Sequence, residues 1–217
     1  MSELPNTAAT DARRRLLEAA TEVFAQKGYA EASTREICRV AGANVAAIHY
    51  YFGDKASLYR EIFRPAHAIA ELPGAFLDGS TPLRDALIAL YRHLLQFIDT
   101  APSAQFMRLV FVREQLQPTG VLTEGPADIL QPFHERLVKF AVERCGATHA
   151  DLALCQLAFS LAGLAMVLLV ERSTVARLAP GLLSSPDAIE ATVQRLADSG
   201  VALVEAELGR RNGGPSS

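Results

Sequence analysis

An all-α fold is predicted by three features of the 217-residue sequence. Apolar residues recur at intervals of three and four along most of the chain, as they do on one face of a helix. No run of alternating apolar and polar residues lies between hairpin-type turns, so the pattern does not indicate a sheet. Hydrophobic residues make up 50% of the chain and charged residues 21%, a balance typical of a globular protein and not of a disordered one.

The first predicted helix covers residues 12–27. Leu16, Ala20 and Phe24 are spaced four apart and therefore share one face of that helix. Gly28 follows them and can adopt the left-handed backbone conformation that closes a helix. We therefore expect an amphipathic helix that ends at residue 27.

Two short helices joined by a tight turn are predicted next. Ser33 and Glu36 form the S-x-x-E pattern that marks the start of a helix. Gly42 interrupts that helix, and Asn44 is a favourable cap for another one, whose apolar position Ile48 would face the core. This arrangement is typical of a helix-turn-helix unit, in which small or polar residues at the first turn of the second helix enter the major groove of DNA.

The rest of the chain continues as helices. A fourth helix begins at Asp54, and longer helical patterns cover residues 82–99, 103–117, 126–145, 149–172 and 186–208. Breaks rich in proline and glycine divide the chain into a DNA-binding domain at residues 1–64, which includes the start of the linking fourth helix, and a helical domain at residues 65–209. We expect residues 210–217 to be a disordered tail.

Charge and cysteine content bear on the partner and the compartment. Residues 12–64 hold nine Arg and Lys against six Asp and Glu, a balance of +3, whereas residues 65–217 hold twelve against sixteen, a balance of −4. The basic part favours a polyanion such as DNA as its partner. Three cysteines without C-x-x-C spacing predict a reducing compartment, and the first residues lack the pattern of an export signal, so we expect a cytoplasmic protein.

Three stretches of the amino-terminal part carry a recognisable motif: residues 33–37 (STREI), Ala41-Gly42 and residues 48–59 (IHYYFGDKASLY). They resemble the signature of the TetR family of transcriptional regulators. Residues 44–53 (NVAAIHYYFG) and 113–119 (REQLQPT) are more particularly similar to the CecR/YbiH-like branch of that family.

The resemblance implies a two-domain, all-helical homodimer. A three-helix DNA-binding head would precede a helical domain for ligand binding and dimerisation. Such a protein would repress transcription from a near-palindromic operator until a small molecule relieves the repression. The DNA-contacting residues that the resemblance and the residue types indicate are Arg35, Asn44, Val45, Ala46, Ala47, His49, Tyr50 and Lys55. Many family members carry tyrosine where this chain has His49, so a phosphate contact there would depend on pH.

The resemblance implies that the last two long helices, residues 149–172 and 186–208, form the dimer interface, and apolar side chains of the helical domain are candidates for the effector pocket. An apolar helix at residues 149–172 needs cover on all sides, which a twofold partner would supply. The dimer candidates are Leu157, Leu161, Leu164, Leu168, Val193, Leu196 and Leu203. The pocket candidates, suited to a hydrophobic or aromatic effector, are Tyr91, Phe97, Phe106, Phe111, Arg113, Gln115, His134, Phe159 and Met166. The pair Arg113-Glu114 fits a salt-bridged or solvated face better than a ligand contact.

The sequence fits other classes of protein less well than it fits a regulator. The sequence lacks G-x-G-x-x-G, Walker and G-x-S-x-G motifs, and residue 138 is valine where a zinc-protease motif beginning at His134 needs a second ligand. We therefore expect no enzyme activity, no cofactor and no metal site. The alternative is a helical small-molecule-binding protein or enzyme with a vestigial head. The uncharged run at residues 152–170 has the length of a membrane span, but its polar residues favour a buried helix and no membrane partner.

Overall fold

The computed structural model describes residues 7–64, 71–96 and 102–213, and within these ranges the chain forms helices and no strand. The predicted all-α fold is confirmed. The helices are α1 (Thr7–Glu31), α2 (Thr34–Ala41), α3 (Ala46–Phe52), α4 (Lys55–Phe63), α5 (Gly74–Leu77), α6 (Leu83–Leu95), α7 (Pro102–Leu116), α8 (Pro126–Arg144), α9 (Leu152–Val170), α10 (Arg172–Leu178) and α11 (Pro186–Gly213).

The predicted boundaries agree with α7, α8 and α9 to within three residues, whereas α1 begins at Thr7, five residues before its predicted start. Helix α1 is interrupted at Gly28, which has a φ of 79° and a ψ of 169°. Helices α5 and α10 were not predicted, because segments of four and seven residues are too short to show a helical period. Helix α11 extends to Gly213, so the prediction of disorder from residue 210 is wrong for residues 210–213.

The chain forms two compact units. Unit 1 comprises residues 1–68 and 100–129, and unit 2 comprises residues 69–99 and 130–217. Helix α7 thus belongs to the unit that contains the helix-turn-helix segment, where it packs against α1. A single division between residues 64 and 65 does not describe this packing, because the chain returns to the first unit after residue 99.

The core of unit 1 holds the predicted apolar face of α1 together with α2, α3 and α4. Leu16, Ala20 and Phe24 are buried as predicted, and Ile48 from α3 is buried in the same cluster. Ile48 therefore fixes one face of α3 in the core of unit 1, and the opposite face of the helix points away from that core.

Unit 2 is built around close packing of α6, α9 and α11. The hydroxyl of Tyr91 in α6 donates a hydrogen bond to the carbonyl of Leu161 in α9, at 3.1 Å. Gly200 of α11 lies beside them, and a Cβ atom there would be 3.1 Å from the Tyr91 hydroxyl and 3.3 Å from a methyl group of Leu161. The absence of a side chain at residue 200 lets the three helices approach one another.

The carboxy-terminal end of α11 is held by an ionic network, which explains why the helix continues past residue 209. Glu207 is buried and pairs with Arg210 at 2.8 Å and with Arg211 at 2.8 Å. Arg211 also pairs with Asp151, the residue that caps the start of α9, at 2.8 Å. The two pairs with Glu207 follow the local spacing of three and four along a helix, whereas the pair of Arg211 with Asp151 joins residues 60 positions apart, which no local sequence pattern reveals.

Helix α9 is the one helix in the described part of the chain that is long and apolar enough to cross a membrane. One face of it packs in the core of unit 2, where Leu157, Leu161 and Leu168 are buried. The opposite face carries exposed apolar side chains, and Phe159 is 66% exposed. The sequence prediction that the helix is buried is therefore correct for one of its two faces.

The predicted dimer contacts need correction on the same grounds. Leu157, Leu161, Leu168 and Val193 are buried in the core of unit 2, and at most 8% of any of them is exposed to a second chain. The half-buried members of the predicted set are Leu164, Leu196 and Leu203. Helical periodicity identified apolar positions, but it did not distinguish the face that meets α6 from the face that meets solvent.

Candidate nucleic-acid interface

The turn between α2 and α3 is built by local hydrogen bonds. The Ser33 hydroxyl accepts from the amide N–H of Glu36 at 3.2 Å and caps the start of α2. Gly42 ends that helix in the left-handed conformation, with a φ of 62°, and the amide of Ala43 donates back to the Cys38 carbonyl at 2.9 Å. This is a common helix ending that glycine adopts without strain. The glycine turn predicted from the sequence is therefore formed.

Helix α3 begins with small, accessible residues. The side-chain oxygen of Asn44 accepts from the amide of Ala46, the first residue of α3, at 3.0 Å. The residue that directly precedes the helix is Val45, which makes no capping bond with its side chain, so Asn44 acts from one position before the cap. Val45 is 49% exposed, Ala46 is also exposed, and Ala47 is half-buried. Ile48 anchors the opposite face in the core. A backbone with so little side-chain bulk at its first turn can approach base edges closely in a groove about 12 Å wide.

The second turn of α3 presents His49 and Tyr50 to solvent. Tyr50 is 79% exposed. The Nδ1 atom of His49 lies 2.7 Å from the carbonyl oxygen of Gly53. Because a carbonyl only accepts hydrogen bonds, Nδ1 carries the hydrogen, and Nε2 of the neutral ring is left as an acceptor. Only the protonated ring can then donate from Nε2 to a phosphate.

The start of α4 holds the predicted phosphate-contacting lysine. Asp54 caps this helix by accepting from the amide N–H of Ser57 at 2.6 Å, and that hydrogen bond lowers the pKa of the Asp54 carboxyl. The ammonium of Lys55 lies over the ring of Tyr29, 4.4 Å from its centroid. Burial lowers the pKa of this half-buried lysine. Arg35, on α2, is exposed.

A buried carboxylate behind this surface was missed by sequence reasoning. Glu114 of α7 is 2% exposed and accepts from the Tyr59 hydroxyl of α4 at 2.8 Å. Burial, followed by the bond to Glu114, raises the pKa of Tyr59 far above its ordinary value, so the hydroxyl remains a donor. The prediction that Arg113-Glu114 forms a solvated or salt-bridged face is wrong for Glu114. Its spacing of four from the buried Val110 was the signal that placed it on the inward face.

The predicted pocket residues are distributed over both units. Phe106, Phe111, Arg113 and Gln115 lie in unit 1, Tyr91, His134, Phe159 and Met166 lie in unit 2, and Phe97 lies outside the described residues. Tyr91 is fully buried and already bonded to α9. The rings of His134 and Phe159 stack with centroids 4.1 Å apart. The list therefore does not form one cluster within either unit.

Comparison with known proteins agrees with this architecture along most of the chain. Residues 16–62 match the model of the bacterial regulatory proteins of the tetR family. Residues 83–204 match the carboxy-terminal domain of the HTH-type transcriptional dual regulator CecR. The second match alone covers more than half of the chain.

Similar proteins include CecR of Shigella flexneri, which is 29% identical over 152 residues, covering 64% of this chain and 67% of that protein. A probable acrEF/envCD operon repressor of Escherichia coli K12 is 25% identical over 163 residues, covering 70% of this chain and 72% of the repressor. Among solved structures, a transcriptional regulator from Pseudomonas aeruginosa PAO1 superposes with a TM-score of 0.64 at 23% identity, covering 92% of each chain.

The fold and the exposed start of helix α3 define a DNA-binding protein of the helix-turn-helix class. The chain belongs to the TetR family of bacterial transcriptional regulators, and residues 83–204 place it with the CecR-type members. The relatives named above are transcriptional regulators and not enzymes. Among the described residues, no group of three or more His, Cys, Asp and Glu side chains is placed to hold a metal ion.

Proposed function

We propose that this regulator is a cytoplasmic homodimer that represses transcription by binding a near-palindromic operator, and that a small hydrophobic or aromatic molecule relieves the repression. The observation that carries the proposal is the start of α3, where the first amide is bonded to the Asn44 side chain, Val45 and Ala46 are exposed, and the buried Ile48 anchors the helix. A dimer would place two such helices in successive major grooves, about 34 Å apart or somewhat more.

The predicted DNA contacts fall into two groups on this surface. Asn44, Val45, Ala46 and Ala47 begin the helix that enters the groove, and the methyl groups of Val45 suit contact with a thymine methyl group. The remaining candidates surround the groove and reach phosphates: Arg35, His49, Tyr50 and Lys55. Phosphate contacts would set affinity and register, and the first group would set sequence preference.

The dimer is proposed to form over the exposed face of α9. We name this face the α9 stripe; its residues are Phe159, Gly163, Met166, Val167 and Val170. Their spacing of three and four places them in one row along the helix. Soluble chains rarely leave so long an apolar row in water, and a second copy of the same face would bury it. Leu164, Leu196 and Leu203 are half-buried and remain dimer candidates.

Repression is favoured over activation by the similarity to the acrEF/envCD operon repressor. The relative CecR is described as a dual regulator, so activation at some promoters is the other outcome to test. An effector can relieve repression only by binding the DNA-free form more tightly than the DNA-bound form. The apolar candidates Phe106 and Phe111, which are partly buried in unit 1, support an effector of hydrophobic character.

Fluorescence anisotropy on DNA from upstream of the chain's own gene tests the proposal, with excess competitor DNA at physiological salt. Nanomolar, competitor-resistant binding by two protomers per site, or a multiple of two, is expected. If binding is weak and salt-labile, a selection from random sequences decides between an operator elsewhere and a vestigial head on a small-molecule-binding protein. Failure of that selection to enrich any sequence would overturn the proposal.

Sedimentation velocity tests the dimer surface. Phe159→Arg places a charge in the middle of the α9 stripe and should convert dimer to monomer. The matched control is Leu178→Arg on α10, where Leu178 is 75% exposed and lies outside the stripe. An unchanged dimer in the first variant, or equal dissociation in both, would remove α9 from the interface.

A further inference from the structure

Residues 113–119 lie in unit 1, together with the helix-turn-helix segment, but none of them is among the predicted DNA contacts. Within it the Glu114 carboxylate is almost fully buried and accepts three hydrogen bonds. One oxygen accepts from the Tyr59 hydroxyl at 2.8 Å, and the other accepts from the amide and the hydroxyl of Thr119, each at 3.0 Å. A buried carboxylate is tolerated only with such partners, so its position is well defined.

The segment after α7 reaches α4 a second time. The Thr119 hydroxyl accepts from the amide of Val121 at 3.2 Å. The carbonyl of Val121 in turn accepts from Nε of Arg60 at 3.0 Å. Two consecutive residues of α4, Tyr59 and Arg60, are therefore held by residues 114–121. We name this set of contacts the α4 clamp.

A short path of contacts leads from the α4 clamp to the DNA-facing lysine. The ring of Tyr59 contacts the ring of Tyr29, with centroids 4.9 Å apart. The Lys55 ammonium lies over the ring of the same Tyr29, 4.4 Å from its centroid. A cation is attracted to the face of an aromatic ring, and Lys55 and Tyr59 share one face of α4 because they are four residues apart.

We propose that Glu114 is a positioning residue for DNA binding: by holding Tyr59, it sets the location of the Lys55 ammonium relative to the DNA backbone. This inference rests on the phosphate contact of Lys55 under Proposed function. A carboxylate is a poor choice for stability alone, since an apolar side chain of similar size often packs as well in a buried site. Unlike an apolar side chain, the carboxylate fixes the direction of the Tyr59 hydroxyl and holds the turn at Thr119 through hydrogen bonds.

The test measures binding to a random-sequence DNA duplex as a function of salt, because a phosphate contact does not depend on sequence. Lys55→Ala should reduce the slope of log K against log salt by about 0.9 for each lysine removed. Glu114→Gln and Tyr59→Phe should each weaken binding by less than Lys55→Ala does and should reduce the slope in the same direction. In the Lys55→Ala background, Glu114→Gln should cause no further loss of affinity.

The matched control is Glu207→Gln in unit 2. Glu207 is also a buried carboxylate with hydrogen-bonding partners, but these are Arg210 and Arg211. This variant should leave the salt slope unchanged even where it lowers the melting temperature.

Several outcomes would overturn the inference. They are an unchanged salt slope in both Glu114→Gln and Tyr59→Phe, or an affinity loss from Glu114→Gln that is the same with and without Lys55. If Glu114→Gln does not fold, Tyr59→Phe decides the matter, because it keeps the ring and removes only the hydroxyl. If Lys55→Ala itself leaves affinity and slope unchanged, the proposed phosphate contact is wrong, a failure distinct from a failure of the clamp alone.

Discussion

Replacing Gly28 by alanine tests how α1 is held in unit 1. The residue has a φ of 79° and a ψ of 169°, a combination essentially restricted to glycine. Forcing a residue with a side chain into such a region costs about 1–3 kcal/mol. The new Cβ would also lie 2.9 Å from Nη1 of Arg113. That atom ends a long, flexible side chain, so we expect the guanidinium to move and the backbone strain to set the cost.

The assay is urea unfolding followed by circular dichroism. Gly28→Ala should lower the free energy of unfolding by about 1–3 kcal/mol, a large part of the 5–15 kcal/mol typical of a folded protein. The control is Gly209→Ala in α11, where no atom would lie within 4 Å of the new Cβ. Alanine inside a helix is favoured over glycine, so the control should gain roughly 0.5–1 kcal/mol. A gain of similar size in Gly28→Ala would refute the strain argument.

Two further predictions concern pH and a buried hydrogen bond. The hydrogen bond from the Ser57 amide lowers the pKa of the Asp54 carboxyl. The charged carboxylate therefore stabilises the folded state at pH values above the ordinary carboxyl pKa, and this stabilisation is lost as the pH falls through the lowered pKa. Asp54→Asn, which still caps α4, should make the melting temperature depend less on pH at acidic pH. Tyr91→Phe removes a buried hydrogen bond and should lower the free energy of unfolding by about 0.5–1.5 kcal/mol, and a variant as stable as wild type in urea would count against that bond.

Local features were predictable because the atoms that create them lie within a few residues of one another. Ser33 caps α2 through a bond to an amide three positions ahead, Asn44 bonds the first amide of α3 two positions ahead, and Gly42 ends α2 in its own backbone conformation. The sequence by itself therefore determined the all-α class, the helix-turn-helix segment and the position of α3. The motifs at residues 33–37 and 48–59 also indicated the family of the protein.

Tertiary structure decided the features that depend on which faces meet. Glu114 lies 55 positions from Tyr59, and only the packing of α7 within unit 1 brings the two side chains together. Likewise, α9 is apolar around its circumference, so only its packing against α6 and α11 showed that Leu161 is buried while Phe159 is exposed. The physical reason is that helical periodicity records which residues share a face, whereas the partner of each face is chosen by burial and hydrogen bonding across the whole chain.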